Sequence, residues 1–420
     1  MNWPPRPKPG SLMLEALRGW TRAEKHAVAA SYLGWTLDAF DYFLLVFVIT
    51  EIAKEFTVDV KSVTFALFVT LALRPVGAFL FGRLADRFGR RPILMFDVVL
   101  YAGLAFASAF SPNLTVFLVL RALFGIAMGG EWGVGASLTM ETVRAESRGV
   151  VSGILQTGYA SGYLVASLCY ALLFPLIGWR GLFMLGLLPA LLVLYIRRNV
   201  AESPGWRPEN RSAGRIASVI SAHWQLAVYA ILLMTALNFL SHGAQDLYPT
   251  FLKVDHGFSP HVTGTLVVFA NVGAILGGLT FGTLSQRFGR RRTLVAAALL
   301  GVPAIPLWIA SQTVLALAVG AFVMQFLVQG CWGIIPAHLN ELSPAEARGT
   351  FPGTVYQLGN LFASYAGPLQ AGLAVQYGSY GFSLGAVTLV AALAVAFLAS
   401  IGREAKGIDM RLASPALSPQ

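Results

Sequence analysis

The chain has 420 residues, of which 56% are hydrophobic and 12% are charged, and its mean hydropathy is +0.66. This composition is typical of a protein that crosses a membrane many times. The formal net charge of +10 is attributed to Lys and Arg in cytoplasmic loops and gives no support to nucleic-acid binding.

Twelve runs of roughly 18–25 mainly apolar residues are each long enough to cross a hydrocarbon core of about 30 Å. We number them spans 1 to 12, and they lie near residues 28–50, 62–83, 93–111, 114–140, 150–173, 180–197, 224–248, 262–283, 293–311, 313–339, 351–374 and 380–401. The residues before span 1 lack the apolar core and cleavage site of a signal peptide. We therefore expect a cytoplasmic N-terminal tail.

The positive charges predict the orientation, because Lys and Arg accumulate in short loops on the cytoplasmic side. With the N-terminus inside, 24 of the 30 Lys and Arg residues fall on that side and four fall outside. Both termini are then cytoplasmic, as an even number of spans requires. We expect a multi-pass protein of the cell membrane, the bacterial inner membrane in particular, which contacts lipid and is monomeric.

An internal duplication runs through the chain at an offset of 200 residues. Residues 81–94 align with residues 281–294, and the same offset aligns Trp132-Gly133 with Trp332-Gly333. Such a repeat predicts two parallel six-helix halves with a substrate site between them near the membrane midplane. The predicted divisions are an N-terminal tail (1–25), a first bundle (26–198), a cytoplasmic linker (199–222), a second bundle (223–401) and a C-terminal tail (402–420).

Span 1 carries two carboxylates, Asp38 and Asp41, which lie about 60° apart on a helix and near midplane depth. Two carboxylates this close repel each other when both are charged. We therefore expect one of the two to be protonated during part of the protein's working cycle, whatever that activity is. The alternative is a structural role in which they pair with a neighbouring arginine.

Arg74 lies in the middle of span 2 beside Pro75, which weakens the helical ladder there. Its guanidinium offers a planar donor fork that suits a carboxylate anion. We expect it to bind substrate, and the alternative is a permanent ion pair with Asp38 or Asp41.

The junction of spans 2 and 3 reads Gly82-x-x-x-Asp86-Arg87-x-Gly89-Arg90-Arg91, and the pattern returns between spans 8 and 9 with Gln286 in place of the acid. It resembles the loop signature of the major facilitator superfamily, and the resemblance covers essentially the whole chain. This implies the all-α, twelve-helix fold of that superfamily. Its glycines permit close packing and a tight turn. With Glu141 and Arg148, we expect the motif to form cytoplasmic ion pairs that serve gating and topology.

Span 4 contains two further ionisable residues, Arg121 and Glu131. Arg121 resembles a general feature of the superfamily, and we favour proton coupling or structure over direct substrate binding. Glu131, in Gly-Gly-Glu-Trp, is a candidate buried acid for proton coupling.

Span 7 has the most informative polar cluster, in residues 238–250. At about 100° per residue, Asn238, Ser241, His242, Gln245 and Asp246 fall within an arc of roughly 140° on one helix face. Polar and charged groups carry a high free-energy cost inside a membrane, so this cluster indicates a functional cavity. The imidazole of His242 suits reversible protonation, and the carboxylate of Asp246, one turn away, suits stabilisation of the charged imidazolium. The alternatives are an interhelical hydrogen bond for His242 and a gating role for Asp246.

This segment also resembles the signature Asn-x-x-(Ser/Thr)-His-x-(Ser/Thr)-Gln-Asp-x-x-x-Thr of the lactate/pyruvate permeases within the sialate:proton symporter family. Six of its seven fixed positions agree, and Ala244 replaces the second hydroxyl residue. The resemblance implies that Asn238 and His242 bind substrate and that the Asp38/Asp41 pair exchanges protons. Gln357 and Asn360 of span 11 resemble polar residues that those permeases use near substrate.

The expected function is therefore secondary active transport that couples a small monocarboxylate, lactate or pyruvate first, to protons by alternating access. Aromatic-acid or sialic-acid transport remains an alternative, although residues 199–222 are too short for the two extra helices of sialate carriers. A nutrient sensor is a further alternative. The sequence contains no metal-ligand spacing, nucleophile elbow or phosphate loop, so we expect neither an enzyme nor a bound cofactor.

Overall fold

The computed structural model describes residues 19–206, 221–408 and 410. Parts of the predicted tails and linker therefore lie outside the described residues. Throughout the described part, all regular secondary structure is helical.

The predicted spans are helices, several of them interrupted. Span 1 is Arg22–Glu55, span 2 is Val60–Phe88, span 3 is Arg90–Ser108 and span 4 is Leu114–Thr142. One helix, Arg148–Leu185, contains span 5 and enters span 6 through a kink at Gly178, and Pro189–Asn199 completes span 6. In the second half, spans 7, 10 and 11 each consist of two helices. Span 7 is Trp224–Gln245 with Tyr248–Val254, span 8 is Pro260–Phe288 and span 9 is Arg290–Ile309. Span 10 is Val314–Trp332 with Ile335–Leu342, span 11 is Phe351–Ala363 with Ala366–Tyr377, and span 12 is Tyr380–Ile401.

Nine helical segments within the described residues are long and apolar enough to cross a membrane. Spans 1, 5 and 11 fall outside this set. Span 1 contains the Asp38/Asp41 pair, span 5 is rich in glycine and hydroxyl residues, and span 11 is divided into two short helices. Their lower hydropathy fits an interior position, because polar groups of membrane helices face the protein rather than lipid.

The junction motif is wrongly placed by the sequence prediction, which put it in a loop. Helix continues to Phe88, and a new helix begins at Arg90. A single residue makes the turn: Gly89 has a φ of 108°, and Gly289 has a φ of 95° at the equivalent position. Positive φ without a Cβ penalty requires glycine, and that is why one residue suffices to separate two spans.

Large apolar side chains cover the outside of the helical bundle. Leu172, Leu176, Leu315, Val375 and Val390 are each at least 67% exposed. Apolar surface of this extent is incompatible with water and matches the hydrocarbon core of a bilayer.

Spans 2 and 4 pack with their backbones in direct contact. A Cβ atom built on Gly77 would overlap the carbonyl of Ile126, and one on Gly125 would overlap the carbonyl of Thr70. The second half repeats the contact, with Gly277 of span 8 against span 10. Small residues bring membrane helices this close, so Arg74 and the polar face of span 4 are held in fixed register.

We expect Gly77→Val to destabilise the protein by about 1–3 kcal/mol or more, because the new methyl groups overpack a backbone contact. The measurement is the thermal unfolding midpoint of the purified protein in detergent. Gly103→Val is the matched control, since a Cβ at Gly103 meets no atom within 4 Å and the cost in helix propensity is the same. Equal midpoints for the two variants would contradict the packing argument.

Candidate functional site

A cavity of about 780 Å³ lies between the two halves. Its lining residues come from spans 1, 2, 5, 7, 8 and 10. They reach from mid-span positions such as Gln156 and Gln329 to the span ends at Val46 and Pro249. The arginine-rich junctions of spans 2–3, 4–5, 8–9 and 10–11 lie on one side of the molecule, which we call the basic face. The cavity opens on the opposite side.

One wall of the cavity is aromatic and belongs to the first half: Phe43, Tyr159 and Tyr163 line it, and Trp35 and Phe47 pack against these rings. The Trp35 and Tyr159 rings stack at 5.6 Å, Phe43 contacts Tyr159 at 5.2 Å and Tyr163 at 4.8 Å, and Phe47 lies 5.7 Å from Tyr163. The sequence prediction missed this wall. Phe43 and Phe47, like Tyr159 and Tyr163, recur at four-residue spacing, but aromatic residues in an apolar helix usually face lipid or the core.

The opposite wall belongs to the second half and consists of amide side chains. Gln245 donates to Gln325 at 3.0 Å, Gln325 donates to the Ala244 carbonyl at 3.2 Å, and Gln329 donates to Ser241 at 3.2 Å. These bonds join spans 7 and 10. They leave the remaining amide donors and acceptors available to a polar cargo.

His242 bridges spans 7 and 11. Its Nδ1 lies 3.1 Å from an Asp246 carboxylate oxygen, and its Nε2 lies 3.0 Å from the Asn360 side-chain oxygen. With the Asn360 amide in this orientation both partners accept hydrogen bonds, so the doubly protonated imidazolium satisfies both contacts. The neutral ring satisfies both only after the Asn360 amide turns over to present its NH2 group. Asp246 is 47% exposed and lines the cavity.

The other predicted substrate residues of the second half are buried. Asn238 is 2% exposed and donates to the Met234 carbonyl of its own helix at 2.8 Å. Gln357 is 1% exposed, and neither its oxygen nor its nitrogen has a hydrogen-bond partner. Neither residue lines the cavity in this conformation.

Arg74 does not form an ion pair with either acid of span 1. Its guanidinium contacts the Met128 thioether and lies 5.5 Å from the centre of the Tyr42 ring. Its charge nevertheless interacts electrostatically with Asp38 and with His242. The positive charge of Arg74 is therefore felt by an acid of span 1 and by the histidine.

Arg121 lies in an aromatic cage behind span 1. The guanidinium carbon is 4.2 Å from the Phe124 ring centre and 5.1 Å from that of Phe183, and one nitrogen donates to Ser108 at 2.8 Å. Its charge interacts with Asp41. Since Arg121 is 1% exposed and absent from the cavity lining, its geometry agrees with the predicted preference against direct substrate binding.

Four carboxyl groups are buried together in the first half. Asp38, Asp41, Asp97 and Glu131 are each at most 1% exposed, and none of their oxygens has a hydrogen-bond partner. Sequence reasoning missed Asp97, although a lone acid in apolar span 3 was a usable signal. The hydroxyl of Tyr101, also buried without a partner, interacts with all four.

The basic face is closed by the junction motif. Asp86 accepts hydrogen bonds from the backbone N–H of Gly349 at 2.8 Å and of Thr350 at 3.0 Å, at the start of span 11. It also pairs with Arg90 at 3.0 Å, and Arg90 pairs with Glu141 at 3.1 Å. A carboxylate at a helix N-terminus is stabilised by the helix dipole, so Asp86 fastens the first half to the second.

The motif residues do not all take part in this closure. Gly82 packs so closely on Gly349 that a Cβ would overlap its carbonyl. Arg91 instead donates to the Arg197 carbonyl at 2.6 Å, within the first half. Arg87 is exposed beside the Phe88 ring, so its geometry suits the predicted role in topology rather than an ion pair.

The repeat supplies a second, weaker fastening. Gln286 accepts a hydrogen bond from the Gly149 N–H at 3.0 Å and donates to the Ala145 carbonyl at 3.0 Å. Arg290 pairs with Glu341 at 2.9 Å, and Arg148 approaches the same carboxylate at 3.8 Å. Because Gln286 is neutral, this side lacks the charge–dipole attraction that Asp86 provides.

The family model of the Major Facilitator Superfamily matches residues 31–244 and 231–411 of the chain. A carboxylic acid transporter protein homolog of Saccharomyces cerevisiae is 29% identical over 377 residues, which are 82% of this chain and 61% of that relative. A probable 4-methylmuconolactone transporter of Cupriavidus pinatubonensis is 30% identical over 351 residues, 80% of each protein.

Among solved structures, the proton:xylose symporter XylE bound to 6-bromo-6-deoxy-D-glucose matches with a TM-score of 0.75. Sequence identity is 19%, and the match covers 93% of this chain and 98% of the other. The likeness shows the fold, and it confirms the predicted all-α architecture of twelve helices.

We expect Asp86→Asn to loosen the basic face, because it removes a charged acceptor from two backbone N–H groups, each such bond contributing about 1.5–3 kcal/mol. Hydrogen–deuterium exchange at residues 349–354 should accelerate by about tenfold or more, tenfold being equivalent to about 1.4 kcal/mol. Arg87→Gln, which alters charge at an exposed neighbour, is the control. Exchange equally slow in both variants would show that Asp86 does not hold the halves together.

Proposed function

We propose that this chain, which belongs to the major facilitator superfamily, is a secondary active transporter that couples the uptake of a small organic monocarboxylate to protons by alternating access. The proposal includes the two-bundle division made from the sequence, a cytoplasmic basic face and a monomer in the cell membrane.

The observation that carries this proposal is the position of His242. It lies next to the cavity, with Asp246 on one side and Asn360 on the other, and both contacts are satisfied when the ring is protonated. Binding an anion raises the affinity of a nearby site for a proton, and linkage makes the effect reciprocal. A histidine so placed therefore supports coupled binding of proton and carboxylate.

Arg74 supplies the positive charge that a carboxylate needs. Its charge acts on His242 and on Tyr159 of the aromatic wall, although its side chain is only 4% exposed here. We infer that the substrate carboxylate displaces the Met128 contact and occupies the guanidinium fork. Asn238, Gln357 and Asn360 then complete the substrate site when the second half closes on it.

The proposed cycle uses the charge balance of this site. With the Asp38/Asp41 pair protonated at Asp38, Arg74 is released from its electrostatic partner and binds the anion. Neutralised cargo allows the Asp86 fastening to open while the opposite face closes, since rocking depends on the different affinity of each state for its ligands.

Lactate and pyruvate are the first candidate cargoes, because residues 238–250 resemble the signature of lactate/pyruvate permeases. The carboxylic acid transporter homolog among the relatives supports the same chemical class.

A ring-bearing organic acid is the second candidate, and a specific observation favours it. Three aromatic side chains, Phe43, Tyr159 and Tyr163, line one side of the cavity. The volume of about 780 Å³ lies in the range of roughly 300–1,000 Å³ found for drug-sized ligands. The relative named for 4-methylmuconolactone transport supports this alternative.

Uptake of labelled L-lactate into proteoliposomes, with and without an inward proton gradient, tests the proposal. Unlabelled pyruvate, acetate, benzoate and sialic acid serve as competitors. We expect gradient-stimulated uptake that short 2-oxo or 2-hydroxy acids inhibit. Gradient-stimulated uptake of labelled benzoate without lactate uptake would establish the second candidate, and no gradient-stimulated uptake of any of these acids would refute the function.

We expect His242→Gln to reduce gradient-driven uptake by about tenfold or more, because glutamine preserves polarity without exchanging a proton. The control is His261→Gln, since His261 is exposed at the start of span 8 and lies outside the proposed site. Monodisperse protein by size-exclusion chromatography establishes folding. Wild-type uptake by His242→Gln would exclude the histidine from coupling.

We expect Arg74→Lys to raise the KM for the transported acid by about tenfold, because lysine retains the charge and loses the bidentate fork. Arg292→Lys, at an exposed position of the basic face, is the matched control. An unchanged KM in Arg74→Lys would assign Arg74 to charge balance alone.

A further inference from the structure

The buried carboxyl cluster of the first half contains more acids than bases. Asp38 interacts with Arg74, and Asp41 interacts with Arg121. Asp97 and Glu131 interact with each other and with Asp38, and no basic side chain of the described residues interacts with either. A buried charge without a partner is held neutral by the cost of desolvation. Asp97 and Glu131, whose oxygens have no hydrogen-bond partner, are therefore better suited to carrying a proton than a charge in this conformation.

The cluster has a polar outlet toward the basic face. Ser31 of span 1 donates to the Gly135 carbonyl at 2.9 Å, and Thr139 of span 4 donates to Ser31 at 2.8 Å. Thr139 also lies 3.3 Å from the Ala27 carbonyl. This chain of hydroxyls ends within two helical turns of Arg22, where span 1 begins at the basic face.

Gly135 leaves the space through which the outlet reaches the acids. A Cβ on Gly135 would lie 3.3 Å from the Ser31 hydroxyl and 3.5 Å from a Glu131 carboxylate oxygen. The two oxygens thus border one small gap between spans 1 and 4. No residue of the cavity lining belongs to this chain, so the outlet is separate from the space that holds the cargo.

We propose that protons leave the site by this route: Asp97 and Glu131 hold them, and Ser31 and Thr139 conduct them to the basic face, apart from the path of the organic acid. For each proton released, the two hydroxyls first reverse their hydrogen bond, so that Ser31 donates to Thr139 instead of accepting from it. The Glu131 carboxyl, which has no hydrogen bond in this conformation, then turns across the gap beside Gly135 and passes its proton to the Ser31 oxygen as the Ser31 proton passes to Thr139. The Thr139 proton then leaves toward the Ala27 carbonyl and water at the opened basic face. Every hydroxyl gains one proton and loses one.

The proposal rests on the proposed proton coupling and names the groups that carry it. Net uptake driven by a proton gradient requires release of the proton inside, whereas exchange of external labelled acid for internal unlabelled acid requires no net proton movement. Blocking a proton outlet therefore suppresses net uptake and preserves exchange. Damage to the cargo site or to the fold suppresses both.

The experiment compares Glu131→Gln, Asp97→Asn, Ser31→Ala, Thr139→Val and Gly135→Ala in proteoliposomes. The probe is labelled L-lactate, or labelled benzoate where the wild-type protein imports that acid instead. We expect each variant to lose about tenfold or more of gradient-driven uptake and to keep exchange within about twofold of wild type. Gly135→Ala is the sharpest variant, because it fills the gap without removing a titratable or hydrogen-bonding group.

Two control substitutions accompany the series. Thr142→Val removes a hydroxyl of the same span that bonds only to the Leu138 carbonyl of its own helix, and Gly103→Ala adds a methyl group where no atom lies within 4 Å. Both should retain net uptake. Parallel loss of uptake and exchange in the five test variants, or loss of neither, would overturn the route. A wild-type protein without gradient-stimulated uptake would instead refute the proposed function.

Discussion

An ionised side chain held away from water costs several kcal/mol unless opposite charges or hydrogen bonds surround it. That constraint explains where this chain keeps its charges. At the basic face, Asp86 is surrounded by Arg90 and two backbone N–H groups, and it is stable as an anion. In the core of the first half, Asp97 has neither kind of partner, and this environment favours the neutral carboxyl. The same side chain thus joins the two halves in one place and, in the proposed route, stores a proton in another.

The two halves of the internal repeat share their helix packing but differ in their polar side chains. Glycine-mediated contacts between spans 2 and 4 recur between spans 8 and 10, because both halves need the same close approach of backbones. The buried acids without a hydrogen-bond partner among the described residues, however, occur in the first half, whereas glutamine side chains line the cavity on the second. One repeated arrangement of helices thus carries different polar groups in its two halves.

Much of the fold was predictable because hydrophobic length, positive-charge distribution and the 200-residue repeat act over long stretches of sequence. The short-range features were less predictable. The motif around Gly89 lies on helix ends rather than in a loop, since one glycine completes the turn. Asn238 shares its predicted face with His242, but its amide bonds to its own helix. Periodicity fixes the direction of a side chain and leaves its hydrogen-bond partner undetermined. Asp97 was missed because a single acid has no period.

The division of the cavity between two unlike walls has a mechanical consequence. Tyr159 and Tyr163 belong to the first half, and Gln245 and Gln325 belong to the second, so in the proposed cycle the two walls would move with different halves. A molecule that contacts both walls couples the two halves mechanically, so rotation of one half is transmitted to the other through the bound cargo. A molecule that contacts only one wall occupies the cavity without coupling the two halves. The length of the bound acid across the cavity, and not its affinity for either wall, then decides whether it is transported or acts as an inhibitor.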